Sequence, residues 1–207
     1  LRNPLKKDVI ELLLKEQGHI CAYCMRRIPD EREGIPRVKI EHWDARNGEH
    51  GETCGSYGAL DYSNFLAVCS GNQNDCSKSK EEKLTCDASR GSKKLTVNPL
   101  KPETLSTIYY TEDGWIAASD SDINNDLTIT LNLNCMRDSV QLPIERKRAL
   151  DEIQAEILSE VEAGNSLLES CTHLYQKLLE IDDKKPPYIG ISLWWLKDCI
   201  DGLTVDT

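Results

Sequence analysis

Ile20-Cys-Ala-Tyr-Cys-Met-Arg-Arg-Ile28 decides how the first half of this chain folds. Two cysteines three apart on a tight turn converge their sulfurs on one point, at the ~2.3 Å that zinc takes from thiolates. Cys21 and Cys24 supply half a tetrahedron, so a second cysteine group farther along must close it. Cys54, Cys69, Cys76 and Cys86 follow in the same half of the sequence. Cys135, Cys171 and Cys199 lie among apolar neighbours behind and read as buried small hydrophobes. Nine cysteines in 207 residues is an odd number. Leu1-Arg2-Asn3-Pro4 lacks the layout of a signal peptide. Metal binding is therefore expected over a disulfide framework, in a cytoplasmic protein.

Working outward from the knuckle, Asn3-Pro4 reads as a helix start. Leu5, Val9, Leu12 and Leu13 recur at helical spacing, and Gly18 stops them. After a turn through Pro29 to Pro36, Arg37-Val-Lys-Ile-Glu-His-Trp43 reads as a strand, and 44–60 as a polar, glycine-rich loop holding His50 and Cys54. Asp61-Tyr-Ser-Asn-Phe-Leu-Ala-Val68 carries a capping residue and is expected to form a short helix leading to Cys69. A further turn of helix begins near Cys86. Behind Pro99, Thr107-Ile-Tyr-Tyr110, Trp115-Ile-Ala-Ala118 and Leu127-Thr-Ile-Thr-Leu-Asn-Leu133 predict a small antiparallel sheet with at least one hairpin. Leu150, Ile153, Ile157 and Val161 make one helical stripe, and Leu167, Cys171, Leu174, Leu178 and Ile181 a second. A short last helix runs from Ile191 to Ile200, carrying Trp194 and Trp195 as core or interface residues.

The formal charge of −10 argues against a protein that coats nucleic acid by itself. Residues 1–99 hold 16 Lys+Arg against 15 Asp+Glu, a net of +1; residues 100–207 hold 9 against 20, a net of −11. The acidic half is the expected docking surface for a basic partner, with Glu152, Glu156 and Glu160 on it. No run approaches the roughly 18 apolar residues of a membrane span, so no membrane partner is expected.

Between the cysteine groups stand the parts of a one-metal nuclease. Phosphodiester cleavage needs a base for the attacking water and a cation for the charge that develops on phosphate. Glu41 and His42 are neighbours on a strand, so they point to opposite faces and can take different duties. His42 suits the base, since its ordinary pKa of about 6.5 leaves it largely neutral near pH 7. Glu41 suits an oxygen ligand for Mg²⁺. Lys78, Lys80, Lys83, Arg90, Lys93 and Lys94 surround this region, as phosphate contacts or as a solvated face.

The order Cys-x-x-Cys, acid-His, Asn, Cys, Cys-polar resembles that of HNH endonucleases. A closer resemblance is to the PtuB-like HNH subunit of Septu and retron-associated anti-phage systems. It is carried by Gln17-Gly-His-Ile-Cys-Ala-Tyr-Cys24, Ile40-Glu-His-Trp43, Leu60-Asp-Tyr-Ser-Asn64, Cys69-Ser-Gly-Asn72, Thr85-Cys-Asp-Ala-Ser-Arg-Gly91, Leu95-Thr-Val-Asn-Pro99, Leu131-Asn-Leu-Asn134 and Pro187-Tyr188. The resemblance implies an α+β chain: a ββα-metal (HNH) nuclease module with a structural zinc knuckle over 1–99, then a small antiparallel sheet and C-terminal helices over 100–207. It makes His42 the general base, Glu41 and Asp87 ligands of a catalytic Mg²⁺ or Mn²⁺, and Asn64 the residue that orders the loop holding the base. Cys21, Cys24, Cys69 and Cys86 become the structural zinc set. The implied setting is bacterial defence. The nucleic acid is duplex DNA or a structured RNA such as tRNA, the partner a PtuA-type ATPase, with a reverse transcriptase and its msDNA in retron-linked versions. Two departures from the pattern stand out. Asp87 replaces the usual His or Asn, and the second cysteine pair is stretched, which leaves Cys76 as a rival to Cys86. The competing reading is a catalytically inactive zinc-knuckle module that recruits a partner; a redox-sensing cysteine protein is a third.

Overall fold

The computed structural model describes residues 5–28, 38–45, 60–73, 83–137 and 140–205. The turn expected at Pro29–Pro36, the loop bearing His50 and Cys54, and the segment bearing Cys76, Lys78 and Lys80 lie outside the described residues.

Helix α1 spans Leu5–Glu16 and buries Leu13 and Leu14, with Val9 and Ile10 partly covered. Its apolar stripe is thus rotated from the expected one: Leu5 and Leu12 face solvent. Gln17, just past the helix, docks the knuckle on the next element. Its side-chain amide donates to Ile20 O and Ala67 O and accepts from Ala67 N at 2.7 Å.

Strand β1 (Val38–His42) pairs antiparallel with β2 (Phe65–Cys69) in the register Val38↔Cys69 to His42↔Phe65. The helix expected over Asp61–Val68 is confined to one turn, Tyr62–Asn64, where Asp61 caps Ser63 N; the rest is β2. Phe65-Leu-Ala-Val-Cys69 is buried at every position. A strand covered on both faces reads as a continuous apolar run, which periodicity does not distinguish from a helix segment. Helix α2 (Cys86–Arg90) packs against β2.

Beyond α3 (Pro102–Leu105), β3 (Ile108–Tyr110) and β4 (Ile116–Ala118) form the expected hairpin. Its turn holds Gly114 at φ +82, and a Cβ there would meet Pro143 O at 2.0 Å. Leu127–Leu133 is not a third strand. It continues α4 (Ser121–Asn125) as a π-helical turn, Asp126–Thr130. The alternation of Leu and Thr concealed a helical spacing of Ile123, Leu127 and Leu131, all buried, behind an Asp120 cap that accepts from Asp122 N and Ile123 N. A two-residue ladder, β5 (Met136–Arg137) with β6 (Val140–Gln141), was not foreseen.

Helices α5 (Leu142–Glu162), α6 (Leu167–Leu179) and α7 (Ile189–Val205) follow the predicted stripes, except that Val161 and Leu167 are exposed, Ile181 lies past the end of α6, and α7 is longer than expected. Ser166 and Glu169 form a capping box on α6. Asn134 pins the middle of this half: its side chain accepts from Ile116 N and from buried Arg146, and donates to Ile116 O. The α6–α7 connection returns to the knuckle, where Lys185 N donates to Gly18 O and Tyr188 N to Met25 O. One buried apolar cluster runs through both halves. The architecture is α+β, with small antiparallel sheets and C-terminal helices.

Candidate active site and metal centre

Cys21, Cys24, Cys69 and Cys86 come together, all buried, with every sulfur within 4.8 Å of the others. The separations Cys24–Cys69 (3.8 Å), Cys69–Cys86 (3.7 Å) and Cys21–Cys86 (4.0 Å) match the edge of about 3.8 Å in a tetrahedron of ~2.3 Å bonds. They are far from disulfide length. The backbone N–H of Cys69 also donates to the Cys21 sulfur at 3.4 Å. Burial works against a charged Cys24, but hydrogen bonds from Cys21, Cys69 and Cys86 and the charge of Arg26 hold its thiol well below the ordinary range. Thiolates attract Arg26 in return and keep it cationic against its own burial. Four thiol sulfurs so placed could hold a metal ion such as zinc.

Cys86 reaches this cluster although 17 positions separate it from Cys69. The excursion is pinched at its base. Asn72 donates to Lys83 O and Thr85 Oγ1, Thr85 N donates to Gly71 O, and Arg26 donates to Asn72 Oδ1. Gly71 is at φ +56, where a Cβ would lie 2.1 Å from Thr85 O. From the other side Cys86 N donates to Leu131 O and Asn132 to Leu84 O. The fourth sulfur is therefore positioned partly by residues 131–132, which no local spacing reveals.

Four thiols on the knuckle, β2 and α2 set α2 against β1, and that brings Asp87 to Glu41. The two carboxyls are close enough for Asp87 to act on the protonation of Glu41. Burial first, then repulsion from Asp87, pushes Glu41 up to about 7 against the opposing pull of Arg90. Arg90, 1% exposed, ion-pairs with Glu41 and also donates to Tyr23 Oη, His42 O, Trp43 O and Lys93 O. It is thus engaged inside the protein and not open to phosphate, whereas Lys93 and Lys94 are exposed. Sequence reasoning missed its role, although three residues after Asp87 on a helix is the same face. Asp87 in turn pairs with Lys39 Nζ at 3.1 Å.

His42 is half-buried at the end of β1, its ring edge-on to Phe65 with centroids 4.8 Å apart. The chain leaving it is fixed by Asn64, 3% exposed, whose Oδ1 accepts from Asp44 N at 2.7 Å and whose Nδ2 donates to Asp44 O at 3.0 Å. Trp43 N donates to Asn64 O, and Trp43 Nε1 to Val97 O. Elsewhere, Cys135 and Cys171 are buried as expected and Cys199 is half-buried. Of the expected docking trio, Glu156 and Glu160 are engaged with Lys177 and His173 across α5 and α6, and Glu152 is exposed. Among the described residues, no helix is long and apolar enough to cross a membrane.

No protein-family model matches the chain. Over 70 residues it is 36% identical to an Escherichia coli protein named "Retron Ec83 putative HNH endonuclease", a stretch covering 34% of this chain and 26% of that protein. The chain thus spans about a quarter of that relative's length in the match, and the likeness supports the HNH endonuclease family for that stretch.

Proposed function

We propose that the chain is a divalent-metal-dependent HNH endonuclease that hydrolyses phosphodiester bonds of nucleic acid. The observation that supports it most is the pairing of Glu41 with Asp87, brought together where the four-cysteine cluster ties α2 to β2, with His42 the next residue along β1. In this reading β1, β2 and α2 are the ββα-metal unit, and zinc sits in the cysteine cluster as a structural ion. The pair offers only carboxylate oxygens, the donor type preferred by Mg²⁺ and Mn²⁺. Such an ion, when bound, supplies Lewis-acid stabilisation of charge on the phosphate and leaving oxygen. Glu41 and Asp87 would hold it, with Arg90 fixing the Glu41 carboxylate in place. His42 takes the proton of the attacking water, and Asn64 holds the strand end that carries its ring.

The retron name of the relative supports a setting in anti-phage defence, and we place the chain there as the nuclease beside a PtuA-type ATPase, in the cytoplasm. The charge of −11 on residues 100–207 favours a partner that brings the polyanion to the site, with duplex DNA as the substrate and residues 100–207 as the docking half. The test is cleavage of plasmid DNA and of tRNA by the zinc-loaded full chain, alone and with the ATPase. Mg²⁺- or Mn²⁺-dependent cleavage that chelation stops and Asp87→Asn removes is expected. Binding of the ATPase with no cleavage of either polymer under any divalent ion would favour the inactive recruiting module.

A further inference from the structure

Strand alternation puts Lys39 and Glu41 on one face of β1, the face that α2 covers with Asp87. The Lys39 ammonium lies 3.1 Å from Asp87 Oδ2 and 2.5 Å from Gln73 Oε1, so it is tethered from two sides. Glu41 has its own cation in buried Arg90. The two carboxylates are therefore matched by two cationic side chains, but the cations are unequal. Arg90 is interior and bound to three backbone carbonyls, whereas the Lys39 side chain is one-third exposed (33%) on a flexible stem.

We infer that Lys39 is a displaceable counter-cation of Asp87, occupying the carboxylate until a divalent ion enters and leaving when it does. This rests on the metal-dependent reading above. Among the described residues, Lys39 is the cation paired with Asp87 where it faces Glu41. With Lys39 in place, a divalent ion must compete against a tethered ammonium, so metal loading is weakened until ion concentration or a bound phosphate shifts the balance. Lys39 is in this account a positioning residue of the metal site.

The measurement is a Mn²⁺ titration of the zinc-loaded full chain without nucleic acid, followed by loss of the aqueous Mn²⁺ electron paramagnetic resonance signal. Lys39→Met and Lys39→Gln should both tighten Mn²⁺ binding about fivefold, the span of a partly exposed ion pair. Lys39→Arg should leave affinity within about twofold, and Asp87→Asn should remove the site. Zinc content of one per chain in each variant guards against misfolding. Equal or weaker Mn²⁺ binding in both neutral variants would overturn the inference. Wild-type cleavage alongside that result would leave the nuclease reading standing; tighter binding without cleavage by any form would sink the nuclease reading alone.

Discussion

The guanidinium of Arg90 and the carboxylate of Glu41 form a buried ion pair that ties α2 to β1. Tyr23 donates to the same carboxylate oxygen at 3.4 Å, so knuckle, strand and helix meet on one atom. Removing Arg90 strands the Glu41 carboxyl and the carbonyls of His42, Trp43 and Lys93 without their buried donor, which costs about 3–5 kcal/mol. Arg90→Met should lower unfolding stability by that order in denaturant titration. Adding Glu41→Gln to Arg90→Met should recover part of the loss.

Asn64 supplies both partners to the backbone of Asp44. Asn64→Ala leaves those groups unmet in a part-buried setting, at about 1–3 kcal/mol. Zinc content should stay at one per chain while cleavage falls further than stability does. Loss of zinc in this variant would mean that Asn64 serves the fold at large.

Gly71 cannot accept a side chain without pushing Thr85 away from Asn72. Gly71→Ala should therefore weaken zinc retention, read as faster release to a chromogenic chelator, with Cys76→Ala behaving as wild type. Cys86→Ala should lose the ion altogether.

Acid should strip the same ion. Thiolate ligands must be deprotonated to bind zinc, so protons compete with the metal and zinc-dependent stability falls as pH is lowered. Melting temperature should drop on acidification in the zinc-loaded chain and much less in the metal-free form.

Cys21-x-x-Cys24, the Asp61 cap and the stripes of α5 and α6 were legible because each rests on contacts a few residues apart. What escaped was decided elsewhere in the molecule. Phe65–Cys69 is a strand because Val38–His42 pairs with it while Ala67 turns its N–H and C=O outward to Gln17. Leu127–Leu133 is helical because Leu127 and Leu131 face one core. Lys39 and Arg90 look alike in a sequence, but one ends at a half-exposed carboxylate and the other inside the protein. Glu41, His42, Asn64 and Asp87 were selected by pattern, and their partners Arg90, Lys39 and Asp44 come only with the fold.

In the proposed reaction, His42 drives hydrolysis as the general base. The most direct test is the single-turnover cleavage rate of His42→Ala against wild type, at matched zinc content and saturating Mn²⁺. Loss of a general base should slow cleavage by about 10²–10⁴-fold with folding intact; an unchanged rate would contradict the account.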